Sequence, residues 1–273
     1  MAAAIPSELG ERNVRQLLMQ YAVPAIIAMT ASSLYNMVDS IFIGHIPGVG
    51  HYAISGLAVT FPLMNLSTAL GTLVGVGAST MLSVLLGQRN YKAAGKVLTN
   101  EFLLNIIIGL IFSVVTIAFL SPILCFFGAS ENTLPYARDY MFIILLGNVV
   151  THLYFGLNNV IRASGHPKMA MGLTIFTVLF NTVLDPIFIF GFGMGIKGAA
   201  LATVICQCLA LSYTLWFFFD QKNFLHLPAR LKDFRLDMKV AMDSLTIGMG
   251  PFLMNSASCI VTMLINQQLL KYG

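Results

Sequence analysis

The sequence is short of charge. Only 10% of its 273 residues are Asp, Glu, Lys or Arg, while 57% are hydrophobic, and the mean hydropathy is +0.82. A soluble domain carries about 25% charged residues, so this composition excludes one and leaves a surface that must face lipid. A net charge of +4 spread over short clusters between apolar runs does not make a nucleic-acid patch. Cysteine is scarce too: Cys125, Cys206, Cys208 and Cys259 all lie in or beside apolar runs. They have no metal-ligand spacing and form no disulfide framework, and they read as small packing residues. The chain contains no His-rich metal motif, no Gly-x-Ser-x-Gly and no paired acidic motif for a prenyl diphosphate, which argues against a membrane enzyme. The opening MAAAIPSELGERNVRQ is polar, and the apolar run after it is too long for a signal peptide.

What the chain has is long apolar runs. A membrane span needs about 20 such residues, and seven runs qualify, near Leu17–Ile43, Ala53–Leu86, Val97–Phe127, Leu134–Ile161, Met169–Phe192, Gly198–Phe219 and Val240–Leu270. The expected fold is all-α, a polytopic membrane helix bundle. Small residues such as Gly71, Gly75 and Gly77 suit close helix approach. With the N-terminus in the cytoplasm, twelve of the fifteen Lys and Arg fall in inside segments: Arg12, Arg15, Arg89, Lys92, Lys96, Arg162, Lys168, Lys222, Arg230, Lys232, Arg235 and Lys239. Only Arg138, Lys197 and Lys271 fall outside, so the positive-inside rule favours this orientation. Residues 220–237 are the most polar stretch and read as a cytoplasmic linker between a six-helix unit (1–219) and one further helix (238–273). Laying Pro24 over Pro251 aligns the first span with the seventh and sets Asn266 opposite Asp39, an echo of the repeated halves common in transporters.

Two acids stand inside these runs. Asp39 lies in the first span and Asp185 in the fifth, each six residues before the outer end of its helix, roughly 9 Å deep. A carboxylate at membrane depth faces a bundle interior or a water-filled path and marks ion, proton or substrate passage. No Lys or Arg lies in the middle of any span, so a structural ion pair is a poor explanation. Tyr35 and Asn36 share the side of Asp39, and Asn181 lies one turn from Asp185. Pro186 has no N–H for the Thr182 carbonyl, and Pro24 interrupts the first helix in the same way. Carboxylate, amide and backbone oxygens are what hard cations such as Na⁺ prefer; the two acids could instead share a proton. Thr203 and Gln207 are one turn apart on the sixth span, where a lone Thr most often bonds back to its own helix. Asn148, Asn158 and Asn159 lie on the fourth span. Glu101, Glu131, Arg138 and Asp139 fall near predicted helix ends, where interfacial roles dominate.

The segments YNMVDSIFIGHIPG, LAVTFPLMNL, GVGASTMLSVLLGQRNYKAAGKV and NTVLDPIFIFGFGMGIKGAALATVICQ resemble, in order, the multidrug and toxic compound extrusion (MATE) transporters. The resemblance implies twelve helices in two six-helix lobes, and export of small cationic lipophilic compounds in exchange for Na⁺ or H⁺, with no other cofactor and no enzymatic activity. It implies a coupling site at Asp39, Asn181, Asp185 and Thr203. Tyr35, Tyr140 and Asn158 would be nearby polar lining, and Pro24 a helix that bends on protonation. It also implies an inner (plasma) membrane location. With seven spans, the chain would be one lobe plus the first helix of the other, needing the missing lobe or a second chain to transport. The alternatives are an inactive fragment and a lipid-linked oligosaccharide flippase of the same superfamily. The flippase would need mid-depth basic residues that the spans lack. A seven-helix receptor fits neither the orientation nor the repeat.

Overall fold

The computed structural model describes residues 13–221, 223–228, 230 and 233–272. Among the described residues the regular structure is helical: α1 (Val14–Gly44), α2 (Gly50–Gly87), α3 (Tyr91–Ala118), α4 (Leu120–Phe126), α5 (Leu134–Leu146), α6 (Asn148–Ala163), α7 (Pro167–Pro186), a π-helical turn (Ile187–Gly191), α8 (Ile196–Phe219) and α9 (Met238–Tyr272). Six of these are long and apolar enough to cross a membrane, and the bent pair α5–α6 makes up to seven. Arg12, Lys222 and Lys232, used for the orientation, lie outside the described residues, as does the Lys271 side chain.

Two helices begin at asparagine caps. Asn13 caps α1 by accepting from Arg15 N–H, and Asn90 caps α3 by accepting from Ala93 N–H. The fourth apolar run, continuous in sequence, is broken at Gly147 and bent by 59°. The break fits its surroundings. A Cβ on Gly147 would fall 2.6 Å from a Val204 methyl, and the Ser113 hydroxyl donates to the Leu145 carbonyl beside the bend.

Apolar side chains collect at the two ends of the bundle. One cluster joins Ile43, Ala53, Leu124, Ala137, Ile189 and Ile196; the other joins Leu82, Val97, Ile161, Ala170, Phe218 and Leu227. Ile43 and Ile189 share a cluster, so α1 and α7 end at the same side. Within the polar stretch after α8, Leu225 and Leu227 are buried, and the Leu227 N–H donates to the Phe218 carbonyl. At the end of the segment the Asp237 N–H donates to Asn100 on α3. An open cavity of about 1010 Å³ lies here, lined by Lys92, Lys96, His226 and Arg235 among others. Helix α9 runs along α2 in backbone contact, because Gly77 meets the Ser244 carbonyl and Gly248 meets the Leu73 carbonyl.

Candidate functional site

The polar residues of the bundle interior lie between the two apolar ends. Asp39 is five residues before the end of α1, and Asp185 is the second-last residue of α7. The helices pack together and their carboxyls are neighbours. Asp39 is 5% exposed and Asp185 fully buried. Directly after Asp185, Pro186 ends the α-helical ladder and the chain opens into the π turn, where Phe192 N–H reaches back to the Ile187 carbonyl. Such turns recur at functional sites. Gly198 lets the start of α8 close on this turn, since a Cβ there would fall 2.7 Å from the Phe188 carbonyl carbon.

Helix α8 completes the cluster. Thr203 Oγ1 lies 2.9 Å from the Tyr35 hydroxyl and accepts from Asn181 Nδ2 at 3.4 Å. It therefore links α1, α7 and α8, and does not bond back to its own helix as a lone Thr usually does. Tyr140 of α5, 1% exposed, lies within electrostatic reach of Tyr35, Asp39 and Asp185. Four buried oxygens of the cluster have no hydrogen-bond partner among the described residues: Asp39 Oδ1, Asn181 Oδ1 and both oxygens of Asp185. Such atoms cost several kcal/mol unless something neutralises or coordinates them. Oxygen donors of this kind suit Na⁺ or a shared proton.

Other expected residues lie apart. Asn36 is exposed on α1, off the buried face. Asn158 is buried, but donates to the Ala170 carbonyl and accepts from Arg162. Ala170 is fifteen residues before Asp185, roughly 22 Å along α7, so Asn158 belongs to the opposite end of the bundle. Pro24 is buried in α1, likewise roughly 22 Å from Asp39. Gln207, one turn from Thr203, bonds to Thr151 instead of joining the cluster.

The MatE family profile matches residues 24–187, more than half of the chain. The chain belongs to the MatE family. The multidrug export protein MepA of Staphylococcus haemolyticus (strain JCSC1435) is 30% identical over 263 residues, covering 96% of this chain and 57% of that protein. MepA of Staphylococcus aureus (strain NCTC 8325 / PS 47) is 30% identical over 260 residues, 95% of this chain and 57% of that protein. Among solved structures, the MATE multidrug transporter DinF-BH superposes with a TM-score of 0.91 at 32% identity, over 99% of this chain and 60% of that one. An outward-facing MATE family transporter superposes at 0.79 with 24% identity, over 87% and 52% of the two chains, a likeness of fold alone. The chain thus spans under two thirds of the length of these MATE relatives.

Two features of this MATE chain escaped the sequence. Cys206 read as packing, but it is buried beside Asn181 and Asp185; only its position one turn after Thr203 hinted at this. Glu101 read as interfacial, but it is 1% exposed and accepts from Asn105. The apolar run begins at Val97, whereas α3 begins six residues earlier, at Tyr91, which puts Glu101 well inside the bundle.

Proposed function

We propose that this chain carries the cation-coupling part of a multidrug antiporter, in which Asp39, Asn181, Asp185 and Thr203 bind Na⁺ or H⁺ in exchange for small cationic lipophilic compounds. The observation that carries this reading is the set of four buried, unpartnered oxygens on two neighbouring helices. A cation bound there would neutralise two carboxylates held out of water. Tyr35 and Tyr140 border the pair and would change their packing when its charge changes. Asn36, on the exposed face of α1, would border a substrate path shared with a second lobe, and Asn158 would have a supporting role at the opposite end of the bundle. Pro186, with the π turn, and the distant Pro24 are the weak points of α7 and α1 through which ion binding would bend the helices. The clustering of Lys and Arg supports an inner (plasma) membrane protein with a cytoplasmic N-terminus. Multidrug export by the MepA relatives supports the substrate class. Those relatives are longer, and on this reading export would draw on a second lobe, from the same polypeptide or another chain, to complete the cavity. Residues 1–219 would form the first lobe, 220–237 the linker and 238–273 the opening helix of the second.

The test is Asp39→Asn in a complete transporter that contains this segment. Drug efflux driven by an imposed Na⁺ or H⁺ gradient should fall about tenfold or more, with the protein still inserted. Efflux that keeps its rate and its ion dependence would sink the assignment.

A further inference from the structure

A second buried polar stack, shared by α2, α3 and α6, lies apart from the Asp39–Asp185 cluster. Glu101 is ten residues into α3, roughly 15 Å from its start. Asn105, one turn on and fully buried, donates from Nδ2 to Glu101 Oε1 at 2.6 Å. Both side chains lie against Gly156 of α6, where an added Cβ would overlap Glu101 Oε1 and Asn105 Nδ2. One turn before Gly156, His152 packs on Gly109 of α3 and shares a hydrogen bond of 3.1 Å between Nε2 and Ser67 of α2. A further turn back, Asn148 donates to the Gly109 carbonyl and accepts from Ser67. The two groups follow one another, a helical turn apart, along α3 and α6.

Three of its buried atoms have no hydrogen-bond partner among the described residues: Glu101 Oε2, Asn105 Oδ1 and His152 Nδ1. The first two belong to a pair that is already half joined. With Glu101 ionised, Oε2 and Oδ1 are both acceptors and neither can satisfy the other. A proton on Oε2 makes it a donor, and Asn105 Oδ1 is the unpaired acceptor on its own partner. Among the described residues no charged partner of Glu101 is found, and Arg235, on the segment that packs on Asn100 and Phe102, is exposed. Among the described residues no Lys or Arg faces Glu101 from α2, α3, α6 or α9; Lys96 and Asp243 are exposed, and His152 is the titratable group in the stack. An ionised carboxylate buried there would cost several kcal/mol, and neutralisation is the usual outcome.

We propose that the α2–α3–α6 junction is a second protonation site of the bundle, in which one proton on Glu101 closes an acid–amide pair with Asn105. Close packing shuts it in: a Cβ on Gly75 would fall 2.8 Å from the Gly156 Cα. Exchange of this proton therefore requires α6 to part from α2 and α3, which makes it a marker of that junction rather than part of the Asp39–Asp185 exchange.

The chain has four glutamates, Glu8, Glu11, Glu101 and Glu131, so side-chain carboxyl ¹³C-labelling of Glu gives a readable NMR spectrum of the purified chain in detergent. At neutral pH one carboxyl should resonate as a protonated acid. It should disappear in Glu101→Gln, persist in Asp39→Asn and stay unmoved by saturating NaCl. If Glu101→Gln fails to fold, the same assignment comes from a Glu8→Gln, Glu11→Gln, Glu131→Gln chain that keeps Glu101 alone. The proposal is overturned if every glutamate titrates as an ordinary carboxylate, or if the Glu101 signal is that of an ion that shifts with Na⁺.

Discussion

Thr203 holds three helices through one oxygen, so its loss should be felt in both stability and binding. Thr203→Val removes the partner of the Tyr35 hydroxyl and of the Asn181 amide, and leaving them unpaired costs about 1–3 kcal/mol. We expect a lower unfolding midpoint together with cation affinity weakened about tenfold or more. Thr203→Ser should restore both, and a Val variant with unchanged affinity would remove Thr203 from the site. The residues that carry the cluster were legible because their types are costly in a membrane and their spacing is helical: Asp39 with Tyr35, and Asp185 with Asn181, each one turn apart. Cys206 was not legible, since a cysteine in an apolar run signals packing far more often than chemistry. Asn36 and Asn158 show the opposite limit. Sequence places a residue on a helix, but depth and facing depend on neighbours that it does not display.

At the scale of elements, glycine decides where helices meet. Gly77 admits the backbone of α9 to α2, and a Cβ there would overlap the Ser244 carbonyl oxygen. Gly77→Val should push α9 away at a cost of about 1–3 kcal/mol, measurable as faster amide exchange in residues 241–250; unchanged exchange would contradict the contact. Glycines at close approach were readable from the small-residue pattern. The bend at Gly147 and the π turn after Pro186 were not, because hydropathy is continuous through both and their cause is tertiary. Outside the membrane-spanning segments, the α6–α7 turn contains His166. Burial pushes its imidazole below the ordinary value of 6.5, while a hydrogen bond with the Ser164 backbone pulls the other way. The fold thus favours the neutral ring. Its contribution is complete above about pH 6.5 and declines as pH falls below that value, where the unfolded chain binds the proton more readily. His166→Gln should flatten the fall of the thermal midpoint between about pH 7 and 5; an unaltered slope would contradict this.

At the scale of the whole molecule, the all-helical class followed from composition, because lipid leaves so few ways to satisfy a backbone. Six of the seven expected spans are single long helices among the described residues, the seventh being the bent pair α5–α6. The arrangement of polar residues did not follow. Apolar clusters close the two ends of the bundle, and two separate polar groups lie between them, one on α1, α5, α7 and α8 and the other on α2, α3 and α6. Helices α1 and α9 keep most of their apolar surface exposed, as expected for helices that border lipid or a further lobe. The account predicts that this chain alone binds the coupling cation but moves no drug. The most direct test is equilibrium uptake by the purified chain, radiolabelled Na⁺ at about pH 8 and proton uptake followed by an indicator dye near pH 6, beside Asp185→Asn. The account predicts that one of the two cations binds to the wild-type chain and that binding is lost in the variant. Equal uptake by both proteins, or none by a well-folded wild type, would contradict a coupling site built from Asp39, Asn181, Asp185 and Thr203.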